Sequence, residues 1–289
     1  MEFTNPFEVE GAWYKGNLHL HTTNSDGALS PEEIAEIYKD NGYDFIFITD
    51  HNYLTKIERK YEDFLVIPGV EFSKDNYHLL GLNIKEYFNV ENMSAQNIID
   101  RINNQEGIAI LCHPYWSALT SAELLSLKNY SGIEIYNNTC EKAKGKGYSS
   151  VHWDEVLQTG RKIYGLAVDD AHHHYGEHRE DDILGSFVMV KSKSLTPEDI
   201  CDSIKKGAFY SSTGVLIRDL KIKDNKIEIR FSPSLDVDFI GYGSSGERFS
   251  GKGREIEYAK YMIKGNEKYL RIEITDKNHK KAWTNPIFL

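Results

Sequence analysis

Residues 17–51, NLHLHTTNSDGALSPEEIAEIYKDNGYDFIFITDH, contain one complete strand–helix–strand unit. Leu18–His21 reads as a strand, and Thr22–Gly27 as the polar turn that ends it. Ser30-Pro31-Glu32-Glu33 is a capping box with proline at the first helical position. Ile34, Ile37 and Tyr38 follow on one helical face, and Gly42 stops the helix. Asp44–Thr49, centred on the apolar run Phe45–Ile48, is then a buried strand that closes on Asp50-His51.

The same alternation continues outward over about residues 16–213, the signature of β/α units. Further strands are expected at Leu65–Phe72, His78–Ile84, Ile108–Cys112, Gly132–Tyr136, Ile163–Val168 and Phe187–Val190. Thr196-Pro197-Glu198-Asp199 repeats the capping device ahead of Ile200 and Ile204, and helices are expected around 94–106, 121–129 and 152–159. After Gly214 the texture changes. Ile222, Ile227, Ile229 and Phe231 alternate with charged residues around an Asp224-Asn225 turn. Tyr258–Ile263 and Tyr269–Ile274, separated by Gly265-Asn266, read as a hairpin. The expected organisation is therefore an α/β domain over 1–213 and a small antiparallel, sandwich-like β domain over 214–289.

The chain has 289 residues, of which 40% are hydrophobic and 27% charged, which excludes wholesale disorder, collagen and coiled coil. A formal charge of −10 argues against an extended nucleic-acid partner, because an acidic surface repels phosphate backbones. The beginning has no basic segment followed by an apolar stretch, and no run approaches the length of a spanning helix, so no membrane association is expected. Cys112, Cys140 and Cys201 share no metal-type spacing and read as reduced thiols, which points to the cytoplasm.

Histidine carries the chemistry. His19 and His21 stand at i and i+2, so both imidazoles point to one side of their strand, a ready bidentate metal site. Asp26 follows on the turn, and Asp50-His51, Gly69-Val70-Glu71, His78, Cys112-His113-Pro114 and Asp169-Asp170-Ala171-His172 gather at other strand ends, where β/α folds place catalytic groups. Each fragment alone fits a packed histidine or a capped turn equally well; their repetition does not.

The ordered set HLHTTNSDG, TDHN, PGVEFS, HLLG, CHPY, GIEIYNN and DDAHH closely resembles the PHP family, named for polymerase and histidinol phosphatase. The resemblance covers roughly residues 16–213. It implies a distorted (β/α)7 barrel, TIM-like, with metals at the strand C-termini. The segment ending Ala282-Trp283-Thr284-Asn285-Pro286 looks like the branch that includes carbamate-ester hydrolases. By motif, the resemblance implies two or three divalent ions, Zn, Mn or Fe. His19, His21, Glu71 and Asp170 would hold the first, with Glu71 bridging to a second completed by His78 and His113. Asp26, His51 and His172 would hold the third. The final motif departs from the usual Ser-Asp-x-His by reading Asp169-Asp170-Ala171-His172, which leaves Asp169 as the rival of Asp170.

The activity so implied is hydrolysis of a small-molecule phosphate ester, such as a nucleotide or sugar phosphate, by a metal-bridging hydroxide. Glu71 and Asp170 are the catalytic carboxylates, with Asp170 relaying the proton. Three carboxylates carry about −3 and three divalent ions about +6, so the pocket turns positive inside an acidic protein. The alternatives are carbamate or carboxylic ester hydrolysis on the same centre, and a non-catalytic metal-binding module. Arg179 could grip a phosphate, Asn138 could hydrogen-bond substrate, and Tyr115 or Trp116 could stack on a ring. Each of these has an ordinary structural account as well. Glu134 would orient a ligand histidine. His173, His174 and His178 read as supporting or surface residues, and His152 and His279 as unremarkable.

Overall fold

The computed structural model describes residues 2–173 and 182–289. The first half is built from β1 (Ala12–Asn17), α1 (Pro31–Asp40), β2 (Phe45–Ile48), β3 (Leu65–Lys74) and β4 (Tyr77–Leu82). Then follow α2 (Ala95–Asn104), β5 (Ile108–Leu111), α3 (Ser121–Ser126), β6 (Gly132–Asn137), α4 (Asn138–Lys144) and α5 (Ser150–Gln158). Next come β7 (Tyr164–Val168), β8 (Phe187–Ser192), α6 (Pro197–Lys205) and β9 (Phe209–Ser212). The remainder is all β: β10 (Ile217–Lys223), β11 (Lys226–Ser234), β12 (Asp236–Gly241), β13 (Gly246–Ser250) and β14 (Ile256–Met262). β15 (Tyr269–Thr275), β16 (Lys281–Thr284) and β17 (Ile287–Phe288) complete it.

The helix starts obey their caps. At α1, Ser30 Oγ accepts the Glu33 N–H while the Glu33 carboxylate takes the Ser30 N–H at 2.8 Å, the reciprocal box expected. Thr120 and Glu123 repeat the box at α3, and Thr196 caps α6.

Among the described residues, one sheet runs β13-β12-β15-β16-β9-β8-β1-β2-β3-β4-β5-β6-β7, with β17 attached to β15. Its pairing is an open path. The fold is a mixed α/β one with a large, mostly β sheet, and the strand pairing does not by itself close the (β/α)7 ring implied by the family resemblance. Curvature is nonetheless strong: Phe47 of β2, Ile67 of β3, Leu80 of β4, Val168 of β7 and Val188 of β8 share one core cluster. A single parallel bridge, Leu20–Ala171, ties the chain just past β1 to the chain just past β7. That bridge brings distant motifs to one end of the sheet.

Two expectations are corrected. The strand placed at Leu18–His21 lies earlier, at Ala12–Asn17, so His19 and His21 belong to the segment leaving it. The hairpin read across Gly265-Asn266 does not form. β14 pairs with β11, whereas β15 pairs with β12 and β16 in the large sheet. Burial explains the separation: β15 is buried on both faces as a central strand, while β14 alternates as a half-buried edge. Asp224-Asn225 does make a two-residue turn between β10 and β11, both residues at positive φ (52° and 57°), as a type I′ turn demands. The three-stranded sheet β10-β11-β14 faces the C-terminal part of the large sheet across Leu220, Ile229, Phe231, Phe239 and Ile272. No helix among the described residues is long and apolar enough to cross a membrane, and all three cysteines are unpaired and buried.

Candidate metal centre

Every implied ligand reaches the same end of the sheet, most of them from the residues that leave a strand. His19 and His21 follow β1, His51 follows β2, Glu71 and His78 lie in β3 and β4, His113 follows β5, and Asp170 and His172 follow β7. Non-glycine residues turn left-handed at these exits: Asn52 (φ 48°), His113 (26°), Asp170 (55°) and His173 (55°). Such backbone strain is held in place only where the surroundings enforce it, and it gathers at functional sites.

The inner group is His19, His21, Glu71 and Asp170, all buried. His19 Nε2 stands 3.1 Å from His21 Nε2, from Glu71 Oε2 and from Asp170 Oδ1. His21 Nε2 lies 3.1 Å from Glu71 Oε2 and 3.0 Å from Asp170 Oδ1. Ligands about 2.0–2.1 Å from an ion in a tetrahedron stand about 3.3 Å apart, close to this spacing. Glu71 Oε2 supplies a second test of fit. It is buried and without a hydrogen-bond partner although three imidazole nitrogens lie within 3.1 Å. A buried carboxylate oxygen left in that state is costly unless a cation completes it. The donor set therefore suits a divalent ion.

Glu71 Oε1 turns to a second direction, 2.7 Å from His78 Nδ1 and 3.3 Å from His113 Nε2. An outer group joins Asp26, His51, His172 and also His21. His172 Nε2, His51 Nε2 and His21 Nδ1 lie 3.5, 3.7 and 3.7 Å from the Asp26 carboxylate. His21 thus presents one ring nitrogen to each group. That double role is not visible in a motif that lists it once.

Around these residues, hydrogen bonds fix which nitrogen points inward. His19 Nδ1 is 2.6 Å from Glu134 Oε1, as expected of an orienting carboxylate, which leaves Nε2 to face the cluster. His113 Nδ1 meets Ser117 Oγ at 3.0 Å, and His172 Nδ1 donates to the Asp170 carbonyl at 2.7 Å. Asn137 donates to both Glu134 Oε2 and Asp170 Oδ2 at 3.0 Å. Of the two rival aspartates, Asp170 faces the imidazoles. Asp169 turns away and binds Tyr38 Oη at 2.5 Å and Ser186 N at 2.7 Å. Asp50 is likewise occupied, by the Thr22 N–H and the Ser25 hydroxyl, both at 2.7 Å.

Charge and burial pull against each other here. Burial lowers the affinity of His19 for a proton, but the charges of Asp170, Glu134 and Glu71 raise it well above the ordinary value. Burial likewise opposes ionisation of Glu71, yet His19 and the neighbouring imidazoles hold its carboxyl well below the usual range. His172 is lowered by burial and raised by Asp26 and Asp170, ending at about 9. Protons and metal ions compete for the same nitrogens.

A cleft of about 500 Å³ opens over the cluster, lined among others by Asp26, His78, Trp116, Lys142, Lys144 and Asp182. Trp116 stands on its wall, its ring centroid 5.0 Å from that of His113. Asn138 is buried, its Oδ1 accepts the Tyr136 hydroxyl at 3.0 Å, and its Nδ2 donates to the Asp182 carbonyl at 2.8 Å. Tyr115 is exposed and packs near His152, away from the cleft lining. His152 Nε2 meets the Leu119 carbonyl at 3.0 Å, and His279 sits in an exposed turn. Arg179, His174 and His178 lie outside the described residues. Sequence reading missed Asn137, Thr139, Asp182 and the two lysines. The repeated lysines of Glu141-Lys-Ala-Lys144 after a strand ending in Asn137 were the available signal for the last pair.

No family model matches the chain. A two-domain protein of Bacteroides vulgatus, containing a predicted PHP-like metal-dependent phosphoesterase, is similar over 99% of both chains, with a TM-score of 0.53 and 14% identity; the likeness is one of fold. An uncharacterized protein of Methanocaldococcus jannaschii is 28% identical over 142 residues, taking in 43% of this chain and 81% of that protein. The DNA polymerase/3'-5' exonuclease PolX of Bacillus subtilis is 35% identical over 82 residues, 22% of this chain and 14% of the polymerase.

Proposed function

Because the chain is PHP-like in fold, in the order of its motifs and in its cluster of histidines and carboxylates, we propose that it is a metal-dependent phosphoesterase acting on a small molecule. The observation that carries this reading is the buried inner group with its unsatisfied Glu71 oxygen, set on the floor of a cleft with lysines on its wall. His19, His21, Glu71 and Asp170 would hold one divalent ion, Glu71, His78 and His113 another, and Asp26, His51 and His172, with His21, a third. Zn, Mn and Fe all suit such mixed nitrogen and oxygen donors. The chemistry such ions would supply is a lowered pKa of water, towards roughly 7, and polarisation of an ester oxygen.

The chain's own residues do the rest. Glu134 keeps His19 in the tautomer that frees Nε2. Lys142 and Lys144 make the cleft wall attractive to an anion, which the acidic protein as a whole repels. Trp116 offers a flat apolar surface to a base or sugar ring. Asp170, with Asn137 on Oδ2, is placed to take up a proton released beside it. The small cleft suits a nucleotide or sugar phosphate better than a polymer.

Carbamate ester hydrolysis is the second reading, favoured by the resemblance at residues 282–286. Protein loaded with Mn, Zn or Fe is offered phenyl phosphate and phenyl carbamate side by side. Faster phosphate turnover is expected; faster carbamate turnover would overturn the assignment of the bond. No turnover of either ester with any metal would favour a binding module.

A further inference from the structure

Asp182 has both carboxylate oxygens committed to the backbone that carries one candidate ligand. Oδ2 accepts the His172 N–H at 2.9 Å, and Oδ1 accepts the His173 N–H at 2.8 Å. Two consecutive N–H groups thus converge on one carboxylate, and His173 beside them takes a left-handed φ of 55°. The Thr139 hydroxyl lies between the two parts, 3.0 Å from Asp182 Oδ2 and 2.7 Å from the Asp170 carbonyl. That same carbonyl accepts His172 Nδ1–H. The far side of Asp182 is pinned as well, through its carbonyl to Asn138 Nδ2. The His172 ring is thereby fixed at both its backbone and its Nδ1. It stacks on His21 with centroids 4.2 Å apart and turns Nε2 towards Asp26.

We propose that Asp182 is a positioning residue for His172 and sets the affinity of the outer group for its ion, an inference that rests on the metal reading above. Ligands must be held to within about 0.5 Å of their working geometry. The outer group needs such help most, because Asp26 has a half-exposed side chain while the inner ligands are packed on all sides. Asp182→Asn keeps the volume and one acceptor oxygen but sets an amide N–H₂ against a backbone N–H.

The test is a calorimetric titration of metal-stripped protein with Mn²⁺, for wild type, Asp182→Asn, His172→Ala and the double variant. Asp182→Asn is expected to weaken the loosest-bound ion about 10–100-fold, the usual effect of losing an outer-sphere partner, and to leave the tightest within threefold. The double variant should bind no more weakly than His172→Ala alone, since Asp182 acts only through that ring. Equal weakening of all ions, additivity in the double variant, or unchanged affinity in Asp182→Asn would each overturn the inference. Should Asp182→Asn fail to fold, Thr139→Val removes only the hydroxyl beside Oδ2, and the same comparison is expected to show at least threefold weakening. A wild-type chain that takes up no ion refutes the metal reading itself, and that result appears before any variant is measured.

Discussion

Replacing Glu134 by glutamine changes one atom and should break the centre through a proton. In the parent, Oε1 receives His19 Nδ1–H at 2.6 Å while Oε2 receives both the His113 N–H at 2.9 Å and Asn137 Nδ2–H at 3.0 Å. Asn137 cannot turn over to compensate, because its Oδ1 already accepts the Cys140 N–H at 2.9 Å. A glutamine therefore has two placements. With its carbonyl at the Oε2 position, its amide faces His19 Nδ1, which must accept; the ring proton then sits on Nε2 and blocks the lone pair aimed at the cluster. With its carbonyl at the Oε1 position, its amide meets two donors, and leaving buried donors unpaired costs about 1–3 kcal/mol. Either way the inner ion should bind about 10–100-fold more weakly, or about 1.4–2.8 kcal/mol. The assay is competition for Zn²⁺ or Mn²⁺ between metal-stripped protein and a chromophoric chelator, with Glu106→Gln on the exposed surface as control. Affinity in Glu134→Gln within threefold of the parent would refute the tautomer argument. So would an equal loss in the control.

Glu71→Ala should lower metal content by at least one ion per chain and abolish turnover, whereas His279→Ala should change neither; full metal content in Glu71→Ala would sink the bridging assignment. In metal-free protein, the raised proton affinity of His172 contributes stability that is complete below about pH 6.5, its ordinary value, and is lost as pH rises through about 9. Urea midpoints of chelated protein should therefore fall between these values, and less so in Asp26→Asn; identical falls in the two proteins would refute it. Arg271, 2% exposed, binds Asp154 through two contacts of 2.6 Å and Glu273 at 3.1 Å. Arg271→Ala should destabilise the fold by about 3 kcal/mol in denaturant melts, the low end for breaking a buried pair, because Glu273 keeps Lys281 and Trp283 while the partly buried Asp154 loses both its contacts. A loss under 1 kcal/mol would show the pair to be dispensable.

The parts of this molecule that were legible in its sequence are those that depend on local chemistry. Ser30, Thr120 and Thr196 cap helices in the structure by the rules that make such residues start signals. The histidines and carboxylates could be collected because most of them follow a strand, and strand exits share one end of a β/α sheet. What escaped needed long-range pairing. Nothing near Gly265-Asn266 tells that its two flanking strands join different sheets, since a two-residue turn signal looks the same whether the strands pair or part. Asn138 read as a free polar group at a strand exit, but its amide is spent on Tyr136 and on Asp182, 44 residues away. Asp182 itself has no motif, because its partners are backbone N–H groups that every residue possesses.

The junction of β9 with β16 has a consequence for how the protein is made. Ser212, Ser211 and Tyr210 pair with Ala282, Trp283 and Thr284, so an inner strand of the large sheet receives its neighbour from residues about 70 positions further along the chain. A nascent chain that has produced everything up to residue 213 already holds all nine clustered histidines and carboxylates. Yet β9 still presents a row of free N–H and C=O groups to solvent or to another chain, and such an edge templates mispairing. Synthesis of β16, rather than assembly of the ligands, is then the step that seals the sheet. Fragments ending near 213 should accumulate as aggregates, and refolding yield of the full chain should fall with concentration.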